Sequence, residues 1–103
     1  MEQIKEITPE EVEKIVGETD EDIVIIDVRE DEEVAQGMIE GAKHIPLGEI
    51  PEVEEDLDKE KNYILVCRSG RRSMNAALYL HDRGYKVVNM VGGMLEWDGE
   101  VVF

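Results

Sequence analysis

The chain has 103 residues, and its net charge at pH 7 is -15 because 26 acidic residues outnumber 11 basic ones. This length suits one hydrophobic core, so we expect residues 1–103 to form a single domain. The strong negative charge disfavours binding to nucleic acid or to an anionic membrane surface. The sequence contains one cysteine, which excludes a disulfide within the chain.

The sequence also indicates a cellular compartment and whether a cofactor is expected. The N-terminal residues lack the apolar stretch of a signal peptide, and no apolar run is long enough to cross a bilayer. Together with the lone cysteine, this predicts a protein of the reducing cytoplasm. The acidic segments 31–33 and 52–60 lack metal-ligand spacing, so we interpret them as solvated surfaces. We therefore expect neither a metal nor another cofactor.

Hydrophobic patterns in the first half predict alternating strands and helices. Ile4–Ile7 predicts a short edge strand, and Thr8 is expected to cap a helix that reaches Gly17. Glu11 is placed to complete a capping box with Thr8. The β-branched run Ile23–Ile26 is typical of a strand buried on both faces. Three shorter elements are predicted next: a helix over Glu30–Gln36, a strand over Ala42–Ile45 and a helix over Glu52–Leu57.

The second half continues the alternation. It contains an apolar strand at Tyr63–Val66, a helix over Ser73–Arg83 closed by Gly84, and a last strand at Lys86–Asn89. Strands that alternate with helices predict an α/β fold whose central sheet is mainly parallel. In such sheets, functional sites gather beyond the carboxyl ends of the strands, and Asp27 and Cys67 both fall there.

The only cysteine, Cys67, lies at the predicted turn from strand to helix. Such a turn can direct backbone N–H groups and the positive end of a helix at a thiolate or a bound anion. The cations of Arg68, Arg71 and Arg72 oppose the helix dipole at roughly 0.3–1 kcal/mol each, unless an anion lies among them. Gly70 permits the positive φ or close approach that a tight anion cradle needs. The turn therefore predicts a thiol that is ionised and exposed at neutral pH. The alternative is a buried structural cysteine whose neighbouring arginines pair with surface carboxylates.

Four segments of the chain carry a family resemblance. Cys67–Ser73 resembles the Cys-x-x-Gly-x-Arg-Ser signature of the rhodanese family. Three further segments resemble its other landmarks in the usual order: Asp27–Glu30, Gly37–Leu47 and Val91–Trp97. The match covers roughly residues 8–98. The resemblance implies a three-layer rhodanese-like α/β fold, in which helices flank a mainly parallel central sheet.

This resemblance implies a sulfurtransferase. Cys67 would take a sulfane sulfur from a small anionic donor such as thiosulfate, become a persulfide and pass the sulfur to cyanide, a thiol or a partner protein. Because the chain has no second cysteine, we expect turnover to need such an external acceptor. Arg72 would support the loop and its negative charge, and Arg68 and Arg71 are expected to attract anionic donors. The implied substrate-binding residues are Arg68, Ser69, Gly70, Arg71, Arg72 and Ser73, whose backbone N–H groups would surround the persulfide.

Other polar residues are assigned supporting roles. The resemblance implies that Asp27 and Arg29 form an ion-pair and hydrogen-bond frame around the loop. A cysteine–histidine dyad is disfavoured, because neither His44 nor His81 lies in the sequence context of a catalytic base. Gly92–Gly93 is expected to form a loop that faces the site.

Two other functions stay open. A thiol-dependent phosphatase or arsenate reductase also places a cysteine and an arginine around an anion. The phosphatase loop resembles Cys-x5-Arg, whereas four residues separate Cys67 from Arg72 here, and this shorter ring better suits a sulfane sulfur. A rhodanese-like interaction module or sulfur relay is the second alternative.

Overall fold

A computed structural model of the chain describes residues 4–18 and 20–103. Strands and helices alternate along this part of the chain. The strands are β1 (Lys5–Ile7), β2 (Ile23–Asp27), β3 (Lys43–His44), β4 (Asn62–Val66) and β5 (Lys86–Met90). The α-helices are α1 (Pro9–Glu18), α2 (Asp31–Val34), α3 (Ile50–Val53) and α4 (Arg71–Asp82). Short 3-10 helices cover Leu47–Glu49, Glu54–Asp56 and Gly93–Glu96.

The strands form one parallel sheet in the order β1-β5-β4-β2-β3. The last residues of β2 and β4, Asp27 and Val66, are paired, and the sheet hydrogen bonding continues from the Val28 N–H to the Val66 carbonyl at 2.9 Å. Because neighbouring parallel strands end at the same edge, Asp27 and Cys67 lie at one edge of the sheet. The predicted α/β fold with a parallel central sheet is confirmed.

Helices cover both faces of the sheet, as the implied three-layer arrangement requires. Successive residues of a strand point to opposite faces, and β4 therefore supplies Leu65 to one core and Ile64 to the other. The first core contains Ile50 of α3 and Leu80 of α4, while the second contains Val12 of α1. Both strands that lead into the predicted site are thus fixed from two sides.

The observed helices agree with the predicted ones at one N-terminus and differ from them in several of their bounds. The capping box of α1 is confirmed, since the Thr8 N–H donates to Glu11 Oε1 at 3.0 Å and the Glu11 N–H donates to Thr8 Oγ1 at 3.2 Å. The acidic helix predicted over 52–57 is present in part: α3 begins earlier, with Pro51 in its first turn, where proline fits, and the acidic residues continue as a 3-10 turn. The helix predicted over 30–36 is limited to α2, and α4 begins two residues before Ser73.

In the part of the chain that the structure describes, no helix combines the length and the apolar character needed to span a bilayer.

Candidate active site

The Cys67 thiol lies at the end of β4, beneath the turn that leads into α4. Its Sγ accepts a hydrogen bond from the Gly70 N–H at 3.0 Å and another from the Ser73 hydroxyl at 3.3 Å. Burial raises the pKa of the thiol, but hydrogen bonds from the Ser73 hydroxyl and from the N–H groups of Ser73, Gly70 and Ser69 outweigh it. The net effect is a pKa below the ordinary value, so the site favours a thiolate.

The expectation of an exposed sulfur is wrong for this conformation, because Cys67 has no solvent-accessible surface. The loop that supplies hydrogen bonds to the sulfur also covers it. A donor therefore reaches Sγ only when atoms of the loop move. A cavity of about 350 Å³ adjoins the loop and is lined in part by Gly70, Arg71 and Asn89.

The backbone conformation of Gly70 sets the direction of the loop. Its φ of 100° lies in the left-handed region, which glycine adopts without the strain that a side chain adds. The Gly70 carbonyl accepts a hydrogen bond of 3.2 Å from Nδ2 of the buried Asn89. Sequence reasoning did not assign Asn89 to the site. The available signal was a lone amide between the apolar residues Val88 and Met90 near the end of β5.

The 3-10 segment at Gly93 closes the other side of the loop. The Met94 N–H donates to the Cys67 carbonyl at 2.8 Å, and the Leu95 N–H donates to the Arg68 carbonyl at 3.0 Å. A Cβ at Gly93 would lie 2.5 Å from backbone atoms of Cys67 and Arg68. Gly93 is therefore required by close backbone packing against the loop, as well as by its φ of 60°.

The three arginines of the loop have different environments. Arg72 forms a bidentate ion pair with Glu33 of α2, in which Nη1 and Nη2 each lie 2.7 Å from a carboxylate oxygen. The side chains of Arg68 and Arg71 are exposed and have no hydrogen bond or ion pair to the described residues. The interpretation of segment 31–33 as a solvated surface is wrong for Glu33. Its partner is 39 residues away, so the local sequence carried no signal for it.

The buried pair Asp27–Arg29 connects α2 to the sheet. Arg29 Nη2 lies 2.8 Å from Asp27 Oδ2, and it also donates to the Gly37 carbonyl at 2.9 Å. Arg29 Nη1 donates to the Glu33 carbonyl at 3.3 Å. The expected ion pair of Asp27 and Arg29 is present, and through Glu33 it leads to Arg72.

The histidines occupy other positions. His44 Nε2 lies 2.7 Å from the Arg29 carbonyl oxygen, and its Nδ1 lies 3.8 Å from Asp31 Oδ1. His81 is in the last turn of α4, eight residues beyond Ser73 and therefore about 12 Å further along the helix. These two contacts of His44 are thus to Arg29 and Asp31, and not to Cys67.

Among the described residues, no group of three or more His, Cys, Asp and Glu side chains is close enough to hold a metal ion.

Removal of the Ser73 hydroxyl is expected to weaken the acidity of the thiol. In Ser73→Ala the thiol pKa rises, and alkylation at pH 7 slows by about three- to ten-fold, because a hydrogen bond to a charged sulfur is lost. The pH dependence of alkylation with iodoacetamide measures this change. Ser69→Ala is the matched control, since Ser69 acts on the sulfur only through its backbone N–H. An unchanged profile in Ser73→Ala would show that the hydroxyl does not stabilise the thiolate.

The Glu33–Arg72 pair gives folding a defined pH dependence. The hydrogen bonds from Arg72 lower the pKa of Glu33 from 4.5 to about 2. Since the folded state favours the ionised form, this stabilisation is complete above about pH 4.5 and is lost as the pH falls towards 2. For a partly exposed pair we expect about 1 kcal/mol. Urea unfolding of wild type and Glu33→Gln should therefore differ by this amount at pH 7 and converge at lower pH. A difference that stays constant down to pH 3 would contradict the assignment.

Fold and site together define a class of protein: a parallel α/β domain that holds one acidified thiol in a loop of N–H and hydroxyl donors between a strand and a helix. Comparisons with known proteins support this assignment. The sequence model of the Rhodanese-like domain family matches residues 8–100. The chain belongs to the rhodanese-like domain family.

Individual relatives cover nearly the whole chain. YtwF of Bacillus subtilis, named as a candidate sulfurtransferase, is 54% identical over 95% of this chain and 94% of its own length. A protein of Allochromatium vinosum named Sulfurtransferase is 37% identical over 91% of this chain and 88% of its own. The crystal structure of a rhodanese-like domain protein from Staphylococcus aureus superimposes with a TM-score of 0.89, at 37% identity, and covers 97% and 98% of the two chains. These names support a sulfurtransferase function.

Proposed function

We propose that the protein transfers a sulfane sulfur from a donor such as thiosulfate to a thiophilic acceptor through a persulfide on Cys67. The observation that carries this proposal is the environment of the sulfur. Two hydrogen bonds, from the Gly70 N–H and the Ser73 hydroxyl, hold the thiol and favour its ionised form. A thiolate is the nucleophilic form of cysteine.

The transfer proceeds in two displacements. In the first, the Cys67 thiolate attacks the outer sulfur of thiosulfate, an S–S bond forms, and the S–S bond of the donor breaks with its electron pair leaving on sulfite. In the second, the acceptor attacks the outer sulfur of the persulfide, and the electron pair returns to Cys67 as a thiolate. Cyanide leaves as thiocyanate, and a thiolate leaves as a persulfide. The same donors that favour the thiolate would then stabilise the negative charge of the persulfide.

The roles of the other loop residues follow from their exposure. Arg68 and Arg71 carry positive charge at the surface beside Cys67, where they would attract an anionic donor. The Gly70 N–H and the Ser73 hydroxyl would hold the sulfur, and the N–H groups of Ser69 and Ser73 would help to keep its pKa low. Asp27 and Arg29 would support the site indirectly, because Arg29 donates to the carbonyls of Gly37, which follows α2, and of Glu33, which binds Arg72.

The phosphatase alternative is less well supported. Recognition of a phosphoryl group by arginine uses the paired N–H donors of the guanidinium. Both terminal nitrogens of Arg72 are already bound to Glu33. The site therefore lacks a free arginine fork from the residue at the signature position.

Intact-mass measurement tests the proposal. Wild-type protein is incubated with thiosulfate, and the excess donor is removed. The intact mass of the protein is then measured under non-reducing conditions. We expect a gain of one sulfur atom that is absent in Cys67→Ala and is removed by cyanide with release of thiocyanate. No gain in mass, combined with thiol-dependent hydrolysis of p-nitrophenyl phosphate, would favour the phosphatase instead. No gain with thiosulfate but a gain with an organic persulfide would keep the persulfide mechanism and overturn the choice of donor.

A further inference from the structure

Both terminal nitrogens of Arg72 bind Glu33 and not the Cys67 sulfur. The resemblance implied that this residue stabilises the negative charge of the loop, but its two terminal nitrogens bind Glu33 instead. Its charge still acts on the thiol, because the pKa of Arg72 is raised first by Glu33 and also by the negative charge of Cys67. Arg72 therefore lies within electrostatic range of the sulfur while its donors are bound elsewhere.

Glu33 is itself held firmly in place. Its Oε1 accepts the Glu30 N–H at 3.0 Å as part of the capping box of α2, and its carbonyl accepts Arg29 Nη1 at 3.3 Å. Arg29 in turn is bound to the buried Asp27. The Glu30 N–H thus holds the Glu33 carboxylate, and Arg29 holds its backbone, so that Glu33 is a well-positioned partner for the guanidinium of Arg72.

Charged groups of both signs surround the Glu33–Arg72 pair. Arg29 and Arg72 face Glu33, while Glu33, Glu30 and the Cys67 sulfur face Arg72. Glu33 thus neutralises Arg72, which is the partly buried cation among the three arginines of the loop. Exposed Arg68 and Arg71, in contrast, are screened by water and salt.

We propose that Glu33 is a positioning residue that holds Arg72 against α2, and so limits the positive field at Cys67 and the binding of small dianions in the loop. This inference rests on the proposed function for its donor, thiosulfate. Loss of the Glu33 charge leaves Arg72 uncompensated and free to turn towards the sulfur. The thiol then becomes more acidic and a dianion binds more tightly.

The test compares Glu33→Gln with Glu32→Gln, a change of the same charge at an exposed neighbour on the same helix. In Glu33→Gln we expect the midpoint of the alkylation pH profile to fall and the KM for thiosulfate to decrease by about three-fold or more, with competitive inhibition by sulfate strengthened similarly. Glu32→Gln should leave all three near wild type. A purely structural role for Glu33 would loosen the loop and move the midpoint and the KM upwards.

A double-mutant cycle tests whether Glu33 acts through Arg72. In an Arg72→Gln background, the Glu33→Gln change should shift the alkylation midpoint much less than in wild type. An equal shift in both backgrounds, an equal shift in Glu32→Gln, or an upward shift in Glu33→Gln would each overturn the proposal. Alkylation does not require sulfur transfer, so failure to form a persulfide would count against the proposed function alone.

Discussion

Replacement of Cys67 by serine should lower thiosulfate:cyanide sulfurtransfer by at least about 10³-fold, because the nucleophile that carries the sulfur is removed. Serine keeps an oxygen that can accept from Gly70 N–H and from Ser73, so the loop retains its hydrogen bonds. Thiocyanate production in the presence of excess cyanide measures the loss.

The chain itself provides the specificity control for this variant. Cys67 is the only cysteine of the protein, so no other thiol can form a background persulfide. Urea unfolding of Cys67→Ser should show stability close to that of wild type, which separates loss of chemistry from loss of fold. A folded serine variant that kept a tenth of the activity would show that the sulfur is not carried by Cys67.

Replacement of Gly93 by alanine should have the largest structural effect on the site. The new Cβ would lie 2.5 Å from backbone atoms of Cys67 and Arg68, and neither backbone segment can yield as a flexible side chain would. The residue also has a φ of 60°, which costs a side chain about 1–2 kcal/mol. With overpacking added, we expect a loss of about 3 kcal/mol in unfolding free energy and displacement of the loop.

Gly41→Ala is the matched control for this variant. Gly41 has a φ of 83°, but a Cβ there would meet no atom within 4 Å. It therefore reports the cost of backbone strain without the clash. Urea unfolding should show a loss of about 1 kcal/mol in Gly41→Ala and at least twice that in Gly93→Ala. Equal losses, with normal sulfurtransfer in Gly93→Ala, would mean that contact with the loop does not position Cys67.

The fold could be predicted from the sequence where local pattern decides it. Runs such as Ile23–Ile26 and Tyr63–Val66 are continuously apolar, which is typical of a strand that is covered on both faces. The capping box of Thr8 and Glu11 uses residues three apart, so it too is visible locally. The position of Cys67 between strand and helix followed from the same elements.

The electrostatics of the site depend on contacts distant in sequence, and local pattern could not supply them. In the sequence, Glu33 is one of several carboxylates on a predicted short helix. Its contact with Arg72 exists only in the folded chain, where α2 lies near the start of α4. Asn89 and Gly93 reach the loop from β5 and the turn after it. The burial of Cys67 likewise depends on how these segments pack around the loop.

The pH profile of Cys67 alkylation in the wild-type protein tests the central claim most directly. The plateau rate reports access to the covered sulfur, and the midpoint reports its acidity. Because hydrogen bonds from Ser73, Gly70 and Ser69 outweigh burial, we predict a midpoint below the pKa of an ordinary, unperturbed thiol. A midpoint at or above that value would contradict the account, since the loop would then not favour the thiolate from which sulfur transfer begins.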